Sequence, residues 1–447
     1  MFPIPAAAEP LAKAFQGAFT QPTFERFVGL ISGLIVTVGR RTVSRALRVI
    51  QPLQRQGHWC NYHRLYSQAH YCMWDLGLIL SRLVIGLLPP DEPVTLAADD
   101  TVDAKTGKRV WAKGPHRDAP RSTRKHVSIK WGHKWLVICV LVKLPLIARP
   151  WALPILCGLC CDKKVAKRAK CRPRSASQNT MLLLICLLRW FPDRRFILLG
   201  DARATSHRLA CFAHRHRDRV TLISRLRADA NLYGQPRQKR ARKGPKLPSP
   251  REQVGHLTPG HSVIAWYGSS RRQIAHVSQT ALWYSVHQVM AVPIRWVCVL
   301  GEDGLEDAYF YSTDPNLDPQ RIVEFYAMRW NIEVTFEESR ALLGLETTRH
   351  WCRRSVLRVT PILFGLFSIV GLIWNEMSAR CPTELLSQTP CYHKQDMTFA
   401  DVLYLVRREI WSSGLLQHHL PTRCSSWLGH LPPPIRNTIL NHLASAA

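Results

Sequence analysis

Acidic side chains are scarce in this sequence. Sixty-one Lys and Arg stand against thirty-one Asp and Glu in 447 residues, a formal net charge of +30. So large an excess implies a polyanionic partner. The basic residues are spread along the chain rather than gathered on one amphipathic helix or beside an apolar span. That favours nucleic acid over anionic lipid and gives no reason to expect a membrane partner. Long unbroken apolar runs are also lacking. The window from Pro361 to Trp374 is shorter than the roughly 18–20 residues a span needs. The longer stretch from Trp135 to Cys161 is broken by Lys143, Pro145, Arg149, Pro150 and Pro154. Both read as buried elements of a core. The opening residues carry no basic segment followed by an apolar one, so no export signal is expected. The fourteen cysteines are therefore expected as free thiols in the cytoplasm, on a protein associated with the nucleoid. Cys157, Cys160, Cys161 and Cys171 lack the second pair that a zinc finger needs, and read as core thiols. No internal repeat is present.

This length allows two to four domains, or one large enzyme domain with an insertion. Residues 1–90 read as helices, including a basic amphipathic segment at 40–50 and a long helix over 61–89 closed by Pro89 and Pro90. Helix, short turn and basic helix suit a DNA-binding unit. From Pro93 the texture changes. The stretch 94–101 predicts a strand, and 126–146 predicts two strands with a turn near Gly132. A helix follows over 175–193. A buried strand then leads through a tight turn at Gly200-Asp201 into another helix, and 219–229 is again a strand. Strands first, then helix and strand alternating, indicate an α/β fold with a mixed sheet and flanking helices. Residues 233–252 form a Pro- and Gly-rich basic loop suited to phosphate, with Arg237, Lys239, Arg240, Arg242 and Lys243 as its candidate DNA contacts. A β-rich region covers roughly 254–313. A long helix resumes at Pro319, with Asp318 placed to cap it.

That helix carries a polar stripe. At about 100° per residue, Tyr326, Glu333 and Arg340 fall near one line, with Arg329 and Glu337 beside them and Ile322, Phe325, Ile332, Phe336 and Leu343 opposite. Two apolar strands also lead to acids: Asp99 or Asp100 after "VTLAA", and Asp201 after "RFILLG". Functional side chains gather at strand ends in α/β sheets. Clustered carboxylates repel one another unless a cation sits between them. Mg²⁺ suits such a cluster and keeps phosphate oxygens among its ligands, and two such ions can assist both sides of a phosphoryl transfer. An acidic metal pocket in a basic chain fits a protein that holds DNA with bulk charge and cuts it locally.

The motifs "DDT" at 99–101, "LLGDAR" at 198–203 and "YAMRWNIEVTFEESR" at 326–340 resemble those of prokaryotic insertion-sequence DDE transposases, in the group with a Tyr-Arg-Glu-Lys helix signature. Tyr326, Arg329 and Glu333 match the signature, and Arg340 replaces its Lys with charge kept. Asp99 matches the first acid, with Asp100 an alternative, and Asp201 matches the second. The resemblance implies an RNase H-like catalytic domain over 91–230 and 315–378. It also implies a β-rich insertion with the basic loop at 231–314; outside the likeness, which covers about residues 90–375, 1–90 reads as a helical DNA-binding domain and 379–447 as a helical C-terminal region. Asp99, Asp201 and Glu333 would be the catalytic acids and ligands of two Mg²⁺ or Mn²⁺ ions, and Tyr326, Arg329 and Arg340 would contact DNA. The partners would be the element's terminal inverted repeats and target DNA, bound by a homodimer. Cleavage at the element's ends would free 3′-OH groups that attack target DNA in cut-and-paste fashion. A DNA hairpin would stack a flipped base on Trp266, Trp283 or Trp296. The alternatives are a catalytically silent DNA-binding regulator and a nuclease that never joins strands.

Overall fold

Val94, Leu96, Ala97 and Ala98 are wholly buried, so the first half of β1 (Val94–Ala104) runs through the core as a strand covered on both faces. The computed structural model describes residues 4–50, 58–118, 121–123, 125–236, 243–265, 270–285, 290–301, 306–379, 388–389, 392–393, 396–417 and 431–445. β1 pairs antiparallel with β3 (Ile129–Val142) on one side and parallel with β5 (Phe196–Gly200) on the other. β5 in turn pairs parallel with β6 (Val220–Arg225). The far edge of β3 takes β2 (Gly114–Arg117) and β4 (Trp151–Cys160). Beyond β6 come β11 (Ala308–Ser312), β10 (Val292–Val299) and β9 (Arg271–Trp283). β7 (Leu232–Tyr233) and β8 (Gly260–Ala265) close that edge. Among the described residues these eleven strands form one mixed sheet with flanking helices. The β-rich stretch after residue 254 thus extends the sheet that holds β1 and β5, through the antiparallel pairing of β11 with β6.

Several local expectations change. Gly132 is not a turn: β3 is one strand through it, and a Cβ there would lie 2.2 Å from the Asp103 carbonyl oxygen. The glycine serves close backbone approach, not reversal. The helix expected over 61–89 is two, Cys60–Ser67 and Met73–Ile85. The break sets the Tyr71 ring against Phe19, 5.1 Å between centroids, and under the Arg358 guanidinium at 4.0 Å. The helix from Pro319 ends at Met328, and a second runs Asn331–Leu343. Arg329 and Trp330 form the joint, where the Asn331 side chain donates to the Met328 carbonyl at 2.9 Å.

Caps act where the sequence places them. The Asp318 carboxylate accepts from the Arg321 N–H, and Ser175 with Gln178 forms a reciprocal capping box on Ala176–Trp190. Helix Arg353–Ser378 is long and apolar enough to cross a membrane, but 83% of its most apolar window is buried inside the protein. It is the core helix the sequence indicates, packed on β4. Cys139, Cys160 and Cys161 are buried free thiols.

Candidate active site

The Asp99-Asp100 doublet lies inside β1, which continues to Ala104, and not at its end. Its neighbour β5 does end there. The last parallel pair is Ala98 with Gly200, so Asp99 and Asp201 are each the next residue on adjacent strands. A sharp turn carries Asp201. Its carboxylate accepts the N–H groups of Arg203 and Ala204, both at 2.8 Å. Gly200 makes room, since a Cβ there would stand 2.6 Å from the Thr205 methyl.

Strand alternation separates the doublet. Asp100 pairs with Lys134 at 2.9 Å. Asp99 turns toward the helix joint, where its Oδ2 accepts from Arg329 Nη1 at 2.7 Å and its Oδ1 from the Asp100 N–H at 2.7 Å. Arg329 Nη2 donates to Glu333 Oε1 at 2.6 Å. One guanidinium therefore bridges the first and third acids. Tyr326 backs it, with its ring 5.4 Å from the guanidinium carbon. Arg340 donates to Thr101 Oγ1, two residues beyond Asp99 on the same face of β1, and lies 3.3 Å from Glu346. The Asn331–Leu343 helix is pinned by Thr335 Oγ1 donating to the Ala152 carbonyl of β4 at 2.8 Å.

Burial pushes the Asp99 carboxyl from 3.8 up to about 7, and the Asp201 charge adds to this against the pull of Arg329. Burial alone would lower Arg329, but Tyr326, Asp99 and Glu333 together hold it above its ordinary value. Burial also raises the Tyr326 hydroxyl. A carboxyl raised on folding keeps a proton that the unfolded chain has released, so its contribution to stability is lost as pH rises from 3.8 through about 7. Without divalent cation, the thermal midpoint should fall between about pH 4 and pH 7, and Asp99→Asn should flatten that fall. A slope unchanged by Asp99→Asn in calorimetry would show that this carboxyl is not the strained one.

Asp99, Asp201, Glu333, Tyr326, Arg329 and Arg340 thus gather at one place. Lys243 lies elsewhere, its ammonium 4.1 Å from the Tyr233 ring centre and 4.3 Å from that of Tyr284. That cation–π clasp occupies the side chain proposed as a phosphate contact. Arg237, Lys239, Arg240, Arg242 and Trp266 lie outside the described residues. Trp296 is wholly buried and Trp283 stacks edge-on against His207 and Tyr311, so both serve the core. Sequence reasoning missed Asp103, which follows Asp99 by four residues on the same face of β1. It is wholly buried with Lys105 Nζ 2.8 Å away. The period-2 alternation of β1 could have found it.

Among the described residues no three His, Cys, Asp or Glu side chains stand ready as they are to hold one metal ion. The donor chemistry nonetheless fits a hard dication: buried, mutually repelling carboxylate oxygens. The Arg329 guanidinium supplies the countercharge between two of the acids.

Residues 14–288, more than half of the chain, match the family model of the DDE superfamily endonucleases. The match takes in Asp99 and Asp201 and stops before Glu333. No curated protein matches the sequence. Among solved structures, the piggyBac transposase synaptic complex with hairpin DNA is similar, with a TM-score of 0.44 and 9% identity over 98% of this chain and 80% of that chain. On the family match, this chain belongs to the DDE superfamily endonucleases.

Proposed function

We propose that this endonuclease is a transposase of the prokaryotic insertion-sequence type, cutting at the ends of a DNA element and joining the freed 3′ ends to target DNA. The observation that supports this most is the convergence of Asp99 and Glu333 on one guanidinium, with Asp201 beside Asp99 where the parallel pairing of β1 with β5 ends. The antiparallel trio β4-β3-β1 joined to the parallel trio β1-β5-β6 supports an RNase H-like catalytic domain over 91–230 and 315–378. The net charge of +30 supports DNA as the partner. In this reading 1–90 holds DNA, 231–314 is an insertion with a phosphate-binding loop, and 379–447 is a helical C-terminal region. The chain acts as a homodimer on DNA, in the cytoplasm with the nucleoid.

Asp99, Asp201 and Glu333 would hold two Mg²⁺ or Mn²⁺ ions. Bound there, such ions would help generate the attacking oxygen and stabilise the leaving one. Arg329 then gives up its carboxylates, and its planar fork suits a DNA phosphate. Tyr326 keeps that guanidinium in place by stacking. Arg340, anchored at Thr101, binds a second phosphate. Burial raises the Asp99 carboxyl to about 7, and a dication bound beside it would favour its ionised form.

A second reading is a catalytically silent DNA-binding regulator, and the Arg329 bridge between Asp99 and Glu333 favours it. The test incubates the full chain with a plasmid bearing the DNA that flanks its own coding region, plus Mg²⁺ and target DNA. A transposase yields nicked ends and joined products. A regulator binds and yields neither, and a nuclease that never joins strands yields nicks alone.

A further inference from the structure

Beside the acids lies an open trough of about 1420 Å³. Thr101 and Arg340, which meet beside Asp99, are among its lining, so it adjoins the candidate active site. Eleven Lys and Arg side chains line it against three acids. All three acids are paired within the trough itself: Asp100 with Lys134 at 2.9 Å, Glu346 with Lys130 at 2.7 Å and Asp118 with Arg121 at 3.9 Å. Arg340 shares Glu346 at 3.3 Å, and Lys108, Arg109, Arg117, Arg168 and Arg203 have no carboxylate in the trough to balance them. Such a trough attracts a chain of phosphates.

A second feature sets this trough apart from a plain basic surface. Trp131 projects into it from β3 and stays 50% exposed. Its backbone is fixed: the strand pairs Trp131 with Pro115 of β2, and the Trp131 carbonyl accepts from the Lys105 N–H at 2.8 Å. The Lys113 ammonium lies 5.7 Å from the ring centre. Ile129, on the same face of the strand, is 57% exposed. Large apolar side chains held rigidly in the open, within a field of positive charge, need a partner that is both apolar and anionic. Trp111 lines the same trough but is committed to the protein, donating from its indole N–H to the Ala169 carbonyl at 3.0 Å.

We propose that this trough binds an unpaired stretch of DNA leading to the acids, and that Trp131 is the platform on which one of its bases stacks. A duplex hides its base faces, so a protruding indole can stack only on a base that has left the helix or lies in a single strand. Exposed basic side chains of the trough, among them Lys108, Arg109 and Arg117, then carry the flanking phosphates. This deepens the endonuclease reading of the same site and rests on it.

The test measures fluorescence anisotropy of the full-length chain with two labelled DNAs, without divalent cation so that nothing is cut. One is a blunt duplex, and the other is the same duplex with a single-stranded thymidine extension. The wild type should bind the extended DNA about tenfold more tightly than the blunt one, as stacking of one base supplies. In Trp131→Ala that preference should collapse to near unity, while Trp131→Phe keeps most of it. Because the Trp131 side chain is half exposed, the alanine variant should melt with the wild type, which a thermal scan checks. An equal preference in Trp131→Ala and wild type would overturn the proposal, as would a wild type that binds both DNAs alike. A wild type that binds neither DNA would instead overturn the endonuclease reading itself.

Discussion

Replacing Asp99, Asp201 or Glu333 by its amide is expected to cut Mg²⁺-dependent DNA cleavage by about a thousandfold or more. A thousandfold is about 4 kcal/mol of transition-state stabilisation, the scale on which a divalent ion at a phosphoryl group acts. DNA affinity should survive, because it rests on the basic surface and not on three acids that repel phosphate. Asn and Gln keep the shape of each side chain, so packing is disturbed little. Asp100→Asn supplies the contrast. It removes a carboxylate from the other face of β1, paired with Lys134 at 2.9 Å, and should leave far more activity than Asp99→Asn. Gel assays of cleavage and binding on the same preparations read both quantities. Should Asp100→Asn silence cleavage while Asp99→Asn does not, the face of β1 assigned to the chemistry is the wrong one.

The largest loss of stability is expected from Lys105→Met. Lys105 Nζ lies 2.8 Å from Asp103, with side-chain exposures of 6% and 0%, and also donates to Thr348 Oγ1 at 2.9 Å. The Thr360 hydroxyl donates to the other Asp103 oxygen at 2.8 Å. Burial already raises the Asp103 carboxyl, and Lys105 is the charge that offsets it. Removing only the lysine leaves a buried anion, at a cost of about 3–5 kcal/mol. Removing both charges, as Asp103→Asn with Lys105→Met, should restore most of that. Urea unfolding of the two variants decides the point. A single variant as stable as the wild type would mean that Asp103 is neutral in the folded chain.

The parts of this site that were legible in the sequence are those set by local rules. The apolar runs that become β1 and β5, the Asp318 and Ser175 caps and the i,i+4 spacing of Arg329 with Glu333 all follow from residues a few positions apart. What the sequence hid depends on distant chain. The contact of Arg329 with Asp99 spans 230 residues, and no periodicity announces it. Gly132 reads as a turn because glycine usually punctuates, but here it lets β3 pass close to Asp103. That misreading also hid Trp131, whose exposure follows only from the strand running on through Gly132. The joint at Arg329 and Trp330 interrupts a pattern that is helical on both sides, and the stripe survives because Arg329 is long enough to reach across it. Asp99 and Asp100 carry the same side chain, and only the parity of β1 tells them apart.

The most direct measurement is Mn²⁺ binding, read by electron paramagnetic resonance on the full-length chain at about pH 8, where the Asp99 carboxyl is expected to ionise. The wild type should take up Mn²⁺ with the coupled signal of two neighbouring ions. Asp99→Asn, Asp201→Asn and Glu333→Gln should each weaken uptake or leave a single-ion signal. Uptake equal in the wild type and all three variants would contradict the account, because the acids would then not share cations at all.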